Sequence, residues 1–127
     1  MKQLFFLPDK NDLTLTLDIQ GVMVLGYAIE LFAPDGNPPS LIPPVTGNNV
    51  DTIPDTLPLP TPLASNHRRF VLVTMKFQGL DPDNFPNFII EANFSQQGSL
   101  IGKEAKTGKL TGKVQRATLL IQLISKP

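Results

Sequence analysis

Few residue types in this chain could do covalent chemistry, and none stands in a pattern that would let it. His67 is the single histidine among 127 residues and there is no cysteine. One imidazole cannot assemble a transition-metal site, which needs several nitrogen or sulfur donors. Without thiols there is no cysteine nucleophile, thiolate zinc site or disulfide framework. Ser65 lies two residues before His67, but sequence adjacency does not supply a base with an orienting partner. None of the five serines sits in a Gly-x-Ser-x-Gly elbow. Eleven acidic residues are present, yet no two are marked as a catalytic pair. The densest group, Asp81-Pro82-Asp83-Asn84, and the next, Asp9 with Asp12, lack EF-hand spacing and read as turn chemistry. The expectation is therefore no catalytic residue, no cofactor site and no metal site. The sequon Asn93-Phe94-Ser95 matters only if the chain is exported.

Lysine is the other chemically suggestive residue. Thr107-Gly108-Lys109 and Thr111-Gly112-Lys113 look superficially like a phosphate loop. A Walker loop requires Gly-x4-Gly-Lys-Ser/Thr leading into a helix, whereas Leu110 and Val114 follow these lysines. Lys103, Lys106, Lys109, Lys113 and Arg116 form a candidate basic patch. No aromatic residue interleaves them, so a stacking platform for single-stranded nucleic acid is not expected. Lysines spaced in this way also guard an exposed strand edge against aggregation, the reading preferred here. Net charge is zero, so the general field that draws polyanions is missing. Residues 1–66 carry two basic and seven acidic side chains, and residues 67–127 nine and four. Such opposed halves suit head-to-tail association, unless the fold interleaves them.

The most distinctive segment is rich in proline. Nine of the thirteen prolines fall between Pro34 and Pro62. Proline lacks an N–H and has a fixed φ, which excludes a helix or a central strand there. The span 34–63 is accordingly expected to be one long loop. No two of its prolines are spaced i and i+3, so the PxxP core of an SH3 ligand is missing. Its apolar residues Leu41, Ile42, Val45, Ile53, Leu57, Leu59 and Leu63 make it too hydrophobic for a solvated linker. They are expected to pack across the protein's own sheets, covering an open edge; packing against another molecule ranks second and plain disorder last. These seven are the candidate interaction residues.

The elements that would position these groups are strands. Charged residues are only 17% of the chain against a usual ~25%, the balance being made up by turn and strand-surface residues. Leu13 to Gln20 alternates aliphatic and polar side chains, the mark of a half-buried strand. Val22 to Phe32 is more uniformly apolar and ends in the turn sequence Pro34-Asp35-Gly36-Asn37. Further strands are read at Leu4–Leu7, Phe70–Phe77, Phe88–Ser95, Ser99–Ile101 and Ala117–Ile124, with a hairpin turn at Gln96-Gln97-Gly98 and a polar excursion over 107–113. Seven to eight strands and no sustained helical period predict an all-β fold. The expected form is one domain over residues 1–127, an antiparallel two-sheet β-sandwich with immunoglobulin-like topology favoured and a small barrel as the alternative. The cysteine pair and core tryptophan of true immunoglobulin domains are absent.

Leu4 to Leu7 is shorter than the roughly 7–15 apolar residues of a secretory core, and no run nears the ~18 of a membrane span. A soluble, cytoplasmic protein is the expectation. Together these features favour a non-catalytic protein-interaction or assembly module, with the proline-rich loop as contact element and a protein partner or a second copy as occupant. The alternative is a carrier of a small apolar ligand or lipid, with the same loop as a lid. A sugar-binding platform is disfavoured, because Tyr27 is the single tyrosine and tryptophan is missing.

Overall fold

A computed structural model describes residues 2–50 and 55–127. Its strands are β1 (Lys2–Phe6), β2 (Thr14–Gln20), β3 (Met23–Phe32), β4 (Val45–Asn48), β5 (Asp55–Pro58), β6 (Phe70–Gly79), β7 (Asn87–Gln96), β8 (Ser99–Lys109) and β9 (Val114–Ser125), with a 3₁₀ turn over Leu63–Asn66. They form two packed sheets. The five-stranded sheet runs β1-β9-β6-β3-β4 and the four-stranded sheet β5-β2-β7-β8. All neighbours are antiparallel except β1, which lies parallel to β9. No helix among the described residues is long and apolar enough to cross a membrane.

Alternation in the sequence becomes the core. Leu13, Leu15 and Leu17, Val71 to Phe77 at every second position, Phe88 to Phe94 likewise, and Leu119, Ile121 and Leu123 are all buried. The faces predicted to point inward do so, because one apolar face per strand can leave water only by meeting the other sheet. Phe77 of one sheet meets Phe88 of the other, ring centroids 4.9 Å apart. The β7–β8 hairpin turns at Gln97 and Gly98, both with positive φ (51° and 76°), as a two-residue hairpin matching strand twist requires. Both acidic and basic halves contribute to each sheet, so the opposed halves of the sequence are interleaved in space.

Three expectations change. Nine strands replace seven or eight among the described residues, and the two additions, β4 and β5, lie inside the span expected to be a single loop. Each is four residues long and takes an edge position, where a missing N–H can face away from the ladder. β8 also runs on through Lys109 rather than ending near Ile101, so the polar excursion over 107–113 begins as strand. An edge strand has solvent along one side, and on β8 the core-facing positions opposite Phe88 and Phe94 are Gly108 and Gly102. Neither position supplies the apolar beat by which a strand is recognised.

Candidate interaction surface

The proline-rich span is tied to the fold by side chains suited to tight turns. The Ser40 hydroxyl accepts from Leu31 N–H at 3.1 Å, and Leu41 N–H donates to Leu31 O at 2.6 Å. Residues 38–44 are thereby held beside the end of β3. Beyond β4, Asn49 continues the pairing with its side chain, accepting from Leu25 N–H at 2.9 Å and donating to Met23 O at 2.9 Å. After β5, Leu59 N–H bonds Leu13 O at 2.8 Å, and buried Asn66 donates to Pro60 O at 2.9 Å while accepting from Arg69 at 3.1 Å. The chain passes from the edge of one sheet to the edge of the other. Across that flank the Tyr27 hydroxyl on β3 bonds the Asp55 carboxylate on β5.

The seven candidate contact residues separate accordingly. Leu59 and Leu63 are core residues, 4% and 2% exposed. Ile42, Val45 and Leu57 are half-buried and pack on the core. Leu41 is exposed at 44%, and Ile53 lies outside the described residues. Most of the apolar content of this span therefore covers the protein's own sheets. Among the residues that face outward, Pro38, Pro39, Leu41, Pro43 and Pro44 form a crest, and Val50 beyond β4 is exposed at 83%. Between this crest and Glu30 runs a shallow groove of about 510 Å³.

The candidate basic patch is divided by the fold. Lys103, Lys106 and Lys109 are on β8, at the edge of the four-stranded sheet, while Arg116 is on β9 of the five-stranded one, with Lys113 in the turn between. Lys103 pairs with Glu91 at 3.6 Å and Lys109 donates to Asn87 at 2.6 Å. Lys106 stands opposite Ile90, on the inward side of the edge. Charges at those positions oppose edge-to-edge pairing. Glu104 adds to this, its carboxylate accepting from Ala105 N–H at 3.1 Å.

The groups considered for catalysis serve the backbone. Ser65 donates to Pro62 O at 2.7 Å, and His67 Nδ1 accepts from Ser125 N–H at 3.0 Å. Asp81 caps the turn holding Asn84, and Asp12 accepts from Gln97 N–H at 3.0 Å. No group of three or more potential metal-ligating acids or histidines occurs among the described residues. Gln96, read as a turn residue, is instead a buried clamp, bonding Leu7 through N–H and O and also Asp12 O.

One surface went unnoticed in the sequence. The outer face of the five-stranded sheet carries Phe32 opposite Phe70 and Leu72 opposite Leu120, with Leu120 41% exposed. Two rows further along, Lys76 stands directly opposite Arg116. A readable signal existed: Val22–Phe32, Phe70–Phe77 and Ala117–Ile124 are apolar at many of their outward positions as well as the inward ones. Strands apolar on both faces belong to sheets covered on both sides.

Compared with protein-family models, with curated proteins and with solved structures, the chain matches none.

Proposed function

We propose that this protein is a non-catalytic interaction or assembly module whose contact element is the proline crest of residues 38–44. The observation that carries the reading is the combination of exposure and anchorage in that crest. Pro38, Pro39, Leu41, Pro43 and Pro44 are exposed, while Ser40 and Leu41 bond the end of β3 beneath them. An apolar ridge already held in place loses little conformational freedom when a partner covers it. Proline contributes further, since its φ is restricted before binding. The natural occupant is a protein surface with a shallow apolar face that fits the groove beside the prolines.

Immunoglobulin-like topology is part of the proposal. It is supported by the order β3-β6-β9, which follows the C-F-G order of that fold, and by two layers, antiparallel but for β1 beside β9, between which the chain repeatedly crosses. The β7–β8 hairpin, which joins the other sheet between β6 and β9, is this chain's own departure.

The test is native mass spectrometry of the gently purified protein beside a variant in which residues 38–44 are replaced by a short Gly-Ser turn. The expected result is a stoichiometric protein partner on the parent that is lost from the variant, with the β signature in circular dichroism retained. A partner kept by the variant overturns the crest as contact element. A bare monomer carrying a small apolar adduct overturns the module reading in favour of a carrier.

A further inference from the structure

We propose that the outer face of the five-stranded sheet is a self-complementary interface, on which two copies of this chain pack about a two-fold axis running across the strands. On β3, β4, β6 and β9 that face carries three charges: Glu30, Lys76 and Arg116. Lys76 and Arg116 are direct cross-strand neighbours, both exposed, an arrangement of like charges that disfavours the sheet. Among the described residues the one ion pair is Lys103–Glu91, so no described carboxylate pairs with Lys76 or Arg116 and no described cation pairs with Glu30. Glu30 cannot serve them within one chain. It lies four residues along β3 from Gly26, the register partner of Lys76, which is about 13 Å at the rise of a strand.

A rotated second copy removes that separation. The row Ala28-Thr74-Thr118 crosses the middle of the face and consists of small side chains. A two-fold axis along this row places Glu30 of one copy over Gly26 of the other, next to its Lys76. Gly26 is the floor of a depression of about 440 Å³ flanked by Lys76 and Arg116. The same operation lays the Lys76 stem over Leu72 and the Arg116 stem over Leu120, so that the methylenes cover apolar surface and the heads reach the carboxylate. Phe32 meets Val24, which is 56% exposed in the single chain. As an isologous contact requires, every pairing occurs twice. β3, β6 and β9, ten to twelve residues long with two shorter neighbours, offer a face of roughly 600–800 Å², the scale of one side of a standard interface.

The test is a charge exchange followed by sedimentation over a concentration series. The parent protein is expected to dimerise. Glu30→Lys alone, and Lys76→Glu with Arg116→Glu, are each expected to weaken the dimer at least about tenfold, since each then opposes like charges. Mixing the two variants restores every pairing, and a heterodimer of parent-like affinity is expected. Heterodimer formation also shows that both chains are folded. A parent that is monomeric throughout overturns the proposal. So does a dimer indifferent to either variant, which would assign the face to another occupant. A mixture that fails to pair, although both variants keep the parent circular dichroism, overturns it too. The crest is tested by loss of a different partner, so either reading can fail alone.

Discussion

The two flanks of the sandwich solve the same problem in different ways. On one, the edges are β4 and β5, four residues each, and the chain steps from sheet to sheet. On the other, the edge of the four-stranded sheet is β8, eleven residues long and mostly exposed. Short strands, prolines and a covering chain leave the first flank little free backbone to recruit another molecule. The second leaves its edge open and defends it with Lys103, Lys106 and Lys109 and with Glu104 folded onto its own neighbour's N–H. Covering an edge adds to the core, as Leu59 and Leu63 show; guarding one with charge adds almost nothing to it. The first flank should therefore contribute to stability, and the second to solubility.

The sharpest way to break that comparison is to truncate the covering flank. Leu63→Ala should cost about 2–5 kcal/mol in urea unfolding, as for other buried leucines, while Leu41→Ala on the crest should stay within about 0.5 kcal/mol. Equal effects would mean that the proline-rich span is not part of the core. Glycine tests come next. A Cβ at Gly47 would strike the hydroxyl oxygen and two ring carbons of Tyr27, whereas one at Gly102 would meet the flexible end of Leu4. Gly47→Ala should then cost about 2–3 kcal/mol and Gly102→Ala about 1 kcal/mol, within the range for overpacking. A reversed order would show that the β8 flank is the more tightly built.

Tyr27→Phe removes the hydroxyl that joins the sheets at Asp55, and about 1.5–3 kcal/mol should be lost, the range for a bond to a charged acceptor. The smallest effect on stability is expected from replacing Lys103, Lys106 and Lys109 with threonine together. Unfolding should move by no more than about 0.5 kcal/mol per site. Light scattering should nevertheless rise with protein concentration, because the long edge has lost its guard. A variant that unfolds early without associating would place those lysines in the stability of the fold instead.

Much of the architecture was legible from residue order. The period-two pattern in Leu13–Gln20, Phe70–Phe77 and Phe88–Ser95 located strands and their inward faces, because burial on one face leaves that trace whatever the strand order. Gln97-Gly98 was readable as a turn for a local reason too, since few residues accept positive φ. β4 and β5 were not legible. A four-residue edge strand containing or flanked by proline has too few residues for a pattern and is held by partners elsewhere in the chain. β8 was hidden by the glycines beneath Phe88 and Leu4, whose bulk fills the space that its own side chains would have taken.

The candidate surfaces divide along the same line. Apolar content in residues 34–63 could be read directly, but hydrophobicity has no direction in a sequence. Tertiary packing turned Leu59, just beyond β5, and Leu63, in the 3₁₀ turn, inward and left Leu41 with the prolines outside. Lys76 and Arg116 are forty residues apart in the chain, and Glu30 is remote from both. Composition and local periodicity determined that this protein would be built of strands with one inward apolar face, because both act within a few residues. Which charges share a face was decided by the register of β3, β6 and β9, a long-range property that depends on how whole strands align to close the core.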